Sequence, residues 1–138
     1  MRGAIHHLDL TVLDPERSRP FYEAVLGFMG YRIGDSDARG YDFDLEGPGG
    51  VIGSIGIVRA EGEGRGAAHD RHAPGLHHLA LNADSRYDVD RLHDLLRDIG
   101  ATILDPPSPY PEYGAGYYAL FFDDPDGLKL EFVHFPRG

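Results

Sequence analysis

The chain has no cysteine and no tryptophan. Without cysteine there is no disulfide, no thiolate ligand and no sulfur nucleophile, so any metal must be held by histidine nitrogen and carboxylate oxygen. Basic residues are scarce: 13 Lys and Arg face 23 Asp and Glu, a formal charge of −10. A phosphate backbone would meet net repulsion, which argues against a nucleic-acid partner. Long apolar runs are missing too. No stretch approaches the roughly 20 residues that cross a bilayer, and the opening Met1-Arg2-Gly3-Ala4-Ile5-His6-His7 lacks the apolar core of a secretion signal. These absences predict a soluble, cytoplasmic protein that engages no membrane. No Gly-x-Ser-x-Gly elbow is present, which disfavours a serine hydrolase. Gly62, Gly64 and Gly66 lack the Lys-Ser or Lys-Thr that would make them a phosphate loop.

What is present repeats once. Ile5-His6-His7-Leu8-Asp9-Leu10-Thr11-Val12 lies without a gap on Leu76-His77-His78-Leu79-Ala80-Leu81-Asn82-Ala83, and the same offset carries Phe21, Val25 and Phe28 onto Leu92, Leu96 and Ile99. Gly47-Pro48-Gly49-Gly50-Val51 matches Asp124-Pro125-Asp126-Gly127-Leu128 at a slightly larger offset. With 138 residues and 41% hydrophobic content, the expectation is one domain over 1–138, built from a first module at about 4–59, a Gly-rich charged linker at about 60–74 and a second module at about 75–136.

Each copy reads strand, helix and three strands, an α+β pattern. The opening segments alternate as half-buried strands do. In the second copy Ser85 and Asp88 form a capping box, Val89, Leu92, Leu95, Leu96 and Ile99 form one apolar stripe, and Gly100 suits the stop. In the first, Asp14 and Pro15 read as cap and first helical residue and Gly27 as terminator, while Pro20 predicts a helix that is kinked or starts late. Strands are expected at Tyr31 to Ile33, Tyr41 to Leu45, Val51 to Val58, Ala101 to Leu104, Tyr117 to Phe122 and Leu128 to Phe135.

Alternation sorts the strands into faces. Leu8, Leu10 and Val12 oppose His7, Asp9 and Thr11; Leu79 and Leu81 oppose His78, Ala80 and Asn82; Leu128, Leu130 and Phe132 oppose Lys129, Glu131 and Val133. The apolar faces need a helix to cover them. If the copies set their strands side by side in a curved sheet, His7, His78 and Glu131 point into its concave side. Two imidazoles and a carboxylate suit one divalent ion, Fe(II), Mn, Ni or Zn, with positions open for substrate or water. Spacing alone leaves open that these are solvated polar-face residues.

The combination of His7-Leu-Asp-Leu-Thr-Val12, Phe21-Tyr22 with Leu26-Gly27, His78-Leu-Ala-Leu81, and Asp124-Pro-Asp-Gly127 followed by Glu131 resembles the vicinal oxygen chelate pattern of the glyoxalase, bleomycin-resistance and extradiol dioxygenase group. The resemblance covers nearly the whole chain. It implies two tandem βαβββ modules forming a cupped mixed β-sheet around a metal, with His7, His78 and Glu131 at the ligand positions. It also implies a small-molecule substrate chelated through neighbouring oxygens, and a homodimer. Glyoxalase I supplies a fourth ligand late in its first module; aligning the two Pro-containing turns puts Ser54 opposite Glu131, which tips the expected reaction from a glyoxalase-like lyase or isomerase towards an extradiol-type dioxygenase. Lys129, Tyr113 and Tyr117 are expected to contact substrate, and Tyr118 to supply a phenol for proton transfer. The reading from another class is a bleomycin-resistance-like protein that binds a small molecule or antibiotic without chemistry.

Overall fold

The computed structural model describes residues 1–136, and the chain divides into two compact units, Met1–Ala67 and Ala68–Gly138. In the first, β1 (His7–Val12) leads into α1 (Pro15–Phe28), followed by β2 (Arg32–Ser36), β3 (Gly40–Gly47) and β4 (Gly50–Arg59). In the second, β5 (Leu79–Asn82) leads into α2 (Arg86–Asp98), then β6 (Ile103–Pro109), β7 (Tyr118–Asp123) and β8 (Lys129–His134). Each unit is therefore βαβββ, with sheet orders β1-β4-β3-β2 and β5-β8-β7-β6. The first and last strands of each unit pair in parallel and the rest antiparallel. Gly62–Gly66, within the expected linker, forms a short 3-10 turn. Among the described residues no helix is long and apolar enough to cross a membrane.

The helices form where their caps and stripes direct them. Ser85 Oγ accepts from the Asp88 amide at 3.1 Å, while the Asp88 carboxylate accepts in return from the Asp84 amide at 3.2 Å, satisfying donors that a helix start leaves orphaned. Val89, Leu92 and Leu96 are fully buried, each contributing about 1.5–3 kcal/mol of apolar transfer. They cover the face of the second sheet that carries Leu120, Phe122, Leu130 and Phe132. Ile99, expected in that stripe, is 42% exposed because the helix has already ended at Asp98.

In the first unit Asp14 caps α1, with Pro15 as its first residue. Pro20 does not delay the helix: α1 starts at Pro15 and runs with Pro20 inside it to Phe28. It also runs past Gly27. The glycine used at the stop is Gly30, at φ +97°, where the left-handed backbone costs a residue without Cβ little. Tyr22, Val25 and Leu26 face Phe43, Ile55 and Ile57 of the sheet, all nearly or fully buried.

The strand faces follow the alternation. Leu10 and Val12 are buried while His7, Asp9 and Thr11 are exposed, and Leu130 and Phe132 lie under the helix while Glu131 looks the other way.

Candidate functional site

Each unit carries a cleft on the sheet face that its helix leaves uncovered. In the second unit this cleft, of about 510 Å³, is lined by His77, His78, Lys129 and Glu131, with Asp105 at one side and Tyr110, Tyr113, Tyr117 and Phe121 as aromatic walls. Glu131 is 3% exposed, and both its oxygens are engaged. His78 Nε2 lies 3.0 Å from Oε1, and the Tyr117 hydroxyl donates to Oε2. Adjacent ligands about 2.1 Å from one ion stand roughly 3 Å apart at a right angle, so the His78 and Glu131 donor atoms are spaced as neighbouring ligands would be.

Neighbouring imidazoles are in contact in both units. His77 Nδ1 lies 2.7 Å from His78 Nδ1, and His6 Nδ1 lies 2.9 Å from His7 Nδ1. Each contact needs one protonated and one bare nitrogen. It engages the Nδ1 of His78 and of His7, leaving Nε2 as the nitrogen that can turn to an ion. His72, from the segment before β5, packs edge-on against His77 at 5.8 Å. Burial first, then the neighbouring cations and imidazoles, holds the His77 imidazole below its ordinary pKa. Lys129 Nζ stands 4.7 Å from the centre of the Phe121 ring, an arrangement that steadies the ammonium at the cleft. Burial, ahead of the nearby acids, raises the Tyr110 phenol above its ordinary pKa.

Tyr117 and Tyr118 part company. The Tyr118 hydroxyl donates to Asp90 Oδ1 of α2 at 2.6 Å, and Arg86 lies over its ring at 4.1 Å. This side chain is committed to the helix side of the sheet. The phenol that meets Glu131 belongs to Tyr117, a residue read from the sequence only as a substrate contact. Tyr113 is 61% exposed at the end of a short 3-10 turn, Pro111–Tyr113, and stacks on Tyr110 at 5.7 Å.

In the first unit a cleft of about 360 Å³ is lined by His7, Asp9, Asp42, Ser54 and Gly56, with Asp35, Asp37 and Arg39 at its rim. Asp42 is pushed above its ordinary pKa, first by desolvation and then by Asp9 and Asp44. Here the ladder corrects the alignment made on turns. His7 pairs with Ser54 and Asp9 with Gly56, while Ala80 pairs with Glu131. Since His7 and Asp9 correspond to His78 and Ala80, the position equivalent to Glu131 is Gly56, not Ser54. Ser54 instead donates to Asp44 Oδ1 at 2.6 Å. The first unit thus has no carboxylate on its inner strand at that rung; the acid there is Asp9, on β1.

Of the residues singled out as ligands, His78 and Glu131 meet within the second unit, and His7 lies in the first. Among the described residues no three His, Asp or Glu side chains are gathered as an ion would require. The two donors that do meet fit a divalent ion in spacing and chemistry, an imidazole nitrogen and a carboxylate oxygen beside an open cleft.

Known proteins of similar sequence and fold span nearly the whole chain. It is 31% identical over 129 residues, 94% of its length, to the uncharacterized protein YqjT of Bacillus subtilis (strain 168), covering 97% of that protein. A crystal structure of a candidate glyoxalase from Bacillus halodurans superposes with a TM-score of 0.81 at 30% identity, covering 97% of both chains. A glyoxalase/bleomycin resistance protein from Albidiferax ferrireducens T118 superposes with a TM-score of 0.73 at 27% identity, covering 96% of this chain and 98% of that one. Residues 4–132 match the family pattern, and the chain belongs to the Glyoxalase/Bleomycin resistance protein/Dioxygenase superfamily.

Proposed function

We propose that this chain is a divalent-metal-dependent enzyme acting on a small substrate that presents two neighbouring oxygens, with His7, His78 and Glu131 as the protein ligands. The observation that carries the reading is the 3.0 Å approach of His78 Nε2 to Glu131 Oε1 at the floor of an aromatic-walled cleft. His7 enters as the repeat counterpart of His78, its Nδ1 engaged in the same way. Such an ion, when bound, supplies Lewis acidity to the oxygens it chelates. The chain's own groups do the rest. The rings of Tyr110, Tyr113, Tyr117 and Phe121 exclude water from a flat substrate, and the Lys129 ammonium attracts an anionic oxygen or carboxylate.

Within the superfamily, Gly56 at the rung where a first-module carboxylate ligand would stand supports three protein ligands rather than four. This favours an extradiol-type dioxygenase over a glyoxalase-like lyase. The test is metal analysis of protein purified without chelators, beside His7→Ala and His78→Ala. Bound metal in the parent and its loss in both variants is expected; unchanged content in both overturns the reading. Oxygen uptake with catechols after anaerobic Fe(II) loading then separates the reactions, and turnover of a hemithioacetal at a comparable rate would reverse the preference. Sedimentation at micromolar concentration is expected to show a dimer.

The four aromatic rings around the cleft also favour a second reading, a protein that binds a flat ligand without chemistry. Tight binding of such a ligand by metal-free protein, with no turnover under any metal, would promote it.

A further inference from the structure

Glu131 is the one deeply buried carboxylate at the cleft, and its two oxygens have different partners. Oε1 faces His78 Nε2, while Oε2 receives the Tyr117 hydroxyl. A carboxylate oxygen held by a strong donor gives up one lone pair and part of its charge to that donor, so an ion is drawn first to the other oxygen. The donor is itself fixed. The Tyr117 ring packs against Phe135 at 5.2 Å, Tyr113 at 5.3 Å and Tyr110 at 6.3 Å. Its backbone is pinned by the Tyr110 amide, which donates to the Tyr117 carbonyl at 2.8 Å. The preceding loop is closed down by Gly114, at φ +145°, where a Cβ would stand 2.5 Å from the Phe135 ring. The loop from Tyr110 to Tyr117 therefore delivers one phenol to one carboxylate oxygen.

We infer that Tyr117 is a positioning residue that holds Glu131 in single-oxygen attachment to the metal, through Oε1 beside His78. This rests on the metal reading above. The phenol keeps its proton throughout and acts by occupying Oε2, so that the ion keeps a position open where the second carboxylate oxygen would otherwise bind. Tyr117→Phe retains the ring and its packing and removes only that donor.

The probe is Co(II), titrated into metal-free protein and followed by visible absorption and by competition with a chelator. Tyr117→Phe is expected to weaken Co(II) binding by about 10–100-fold, as loss of a group orienting a ligand does. It is also expected to lower the visible molar absorbance, because the freed Oε2 adds a ligand and raises the coordination number. Tyr87→Phe, which removes an exposed phenol on α2 outside the cleft lining, is expected to leave both readouts at the parent values. A thermal transition near the parent's shows that Tyr117→Phe is folded. A Tyr117→Phe protein with parental affinity and spectrum overturns the inference while leaving the metal reading in place; parent protein that takes up no Co(II) overturns the metal reading and this inference with it.

Discussion

The carboxylate of Asp9 lies over Gly56, its partner in the parallel β1–β4 ladder, in the space where a side chain at that position would begin. Gly56 has no positive φ, so its lack of a Cβ serves the close approach of Asp9 rather than the backbone. Two different costs follow for alanine there. In the parent background the new Cβ would meet the Asp9 carboxylate and, less closely, Asp42 Oδ1 at 3.1 Å, and Gly56→Ala is expected to cost about 1–3 kcal/mol. With Asp9→Ala already in place only the Asp42 contact remains tight, and the same change is expected to cost less. Chemical denaturation of the four proteins of this cycle checks the difference; equal effects in both backgrounds would contradict it.

That rung also shows why part of the site was readable from the sequence and part was not. Strand faces have a period of two, so the opposition of His78 and Glu131 to the apolar residues of their strands followed from order alone, and so did the helix on the other side. The register between strands did not. In the first unit only Pro48 and Gly49 separate β3 from β4, and the ladder slips between Leu45 and Glu46. In the second unit the loop runs from Asp124 to Leu128, wound around the Asp124 carboxylate, which accepts from the Asp126 and Leu128 amides at 2.8 Å each. Two turns of similar composition thus sit at different distances from the matching rung, and aligning them set Ser54 where Gly56 belongs. Tyr117 and Tyr118 met the same difficulty, since adjacent tyrosines at a strand start differ only in parity. The donation from Tyr118 to Asp90 and from Tyr117 to Glu131 decides between them.

Gly114 is a second position where a methyl group is expected to act at a distance. Its φ of +145° is unfavourable for any residue with a Cβ, and the Phe135 ring fills the space such an atom would take. Gly114→Ala should cost about 1–3 kcal/mol and loosen the loop that carries Tyr117. Thermal unfolding measures the first effect, and Co(II) affinity is expected to fall alongside. A variant as stable as the parent would show that the loop does not depend on this approach.

The end of β4 is tied to the start of α1 by charge. Arg59 Nη2 lies 2.7 Å from Glu16 Oε2, and Arg59 Nη1 lies 3.7 Å from Asp14 Oδ1. The Arg59 hydrogen bond, more than the contact with Asp14, holds the Glu16 carboxyl at about 2, below its ordinary 4.5. A carboxyl depressed by folding stabilises the folded state above its unfolded pKa, and that contribution fades as pH falls through the folded value. The contribution of Glu16 should therefore be complete above pH 4.5 and vanish progressively towards pH 2. Carbon-detected NMR titration should find Glu16 titrating well below the other glutamates in the parent, and returned to the ordinary carboxylate range in Arg59→Ala.

Glu131 places stability and metal binding in opposition. A side chain 3% exposed has exchanged its hydration for one imidazole and one phenol, and a neutral amide of the same shape has less hydration to lose. Glu131→Gln is therefore expected to leave metal-free protein as stable as the parent, or more so by about 1 kcal/mol. With metal added the order should invert. An ion at 100 times its dissociation constant stabilises the folded parent by about 2.7 kcal/mol, and a carboxamide, carrying no charge, forfeits most of that gain. Thermal melts of both proteins with and without Co(II) test the crossing. If Glu131→Gln gains as much from the ion as the parent does, the acid is not a ligand and its burial needs another cause.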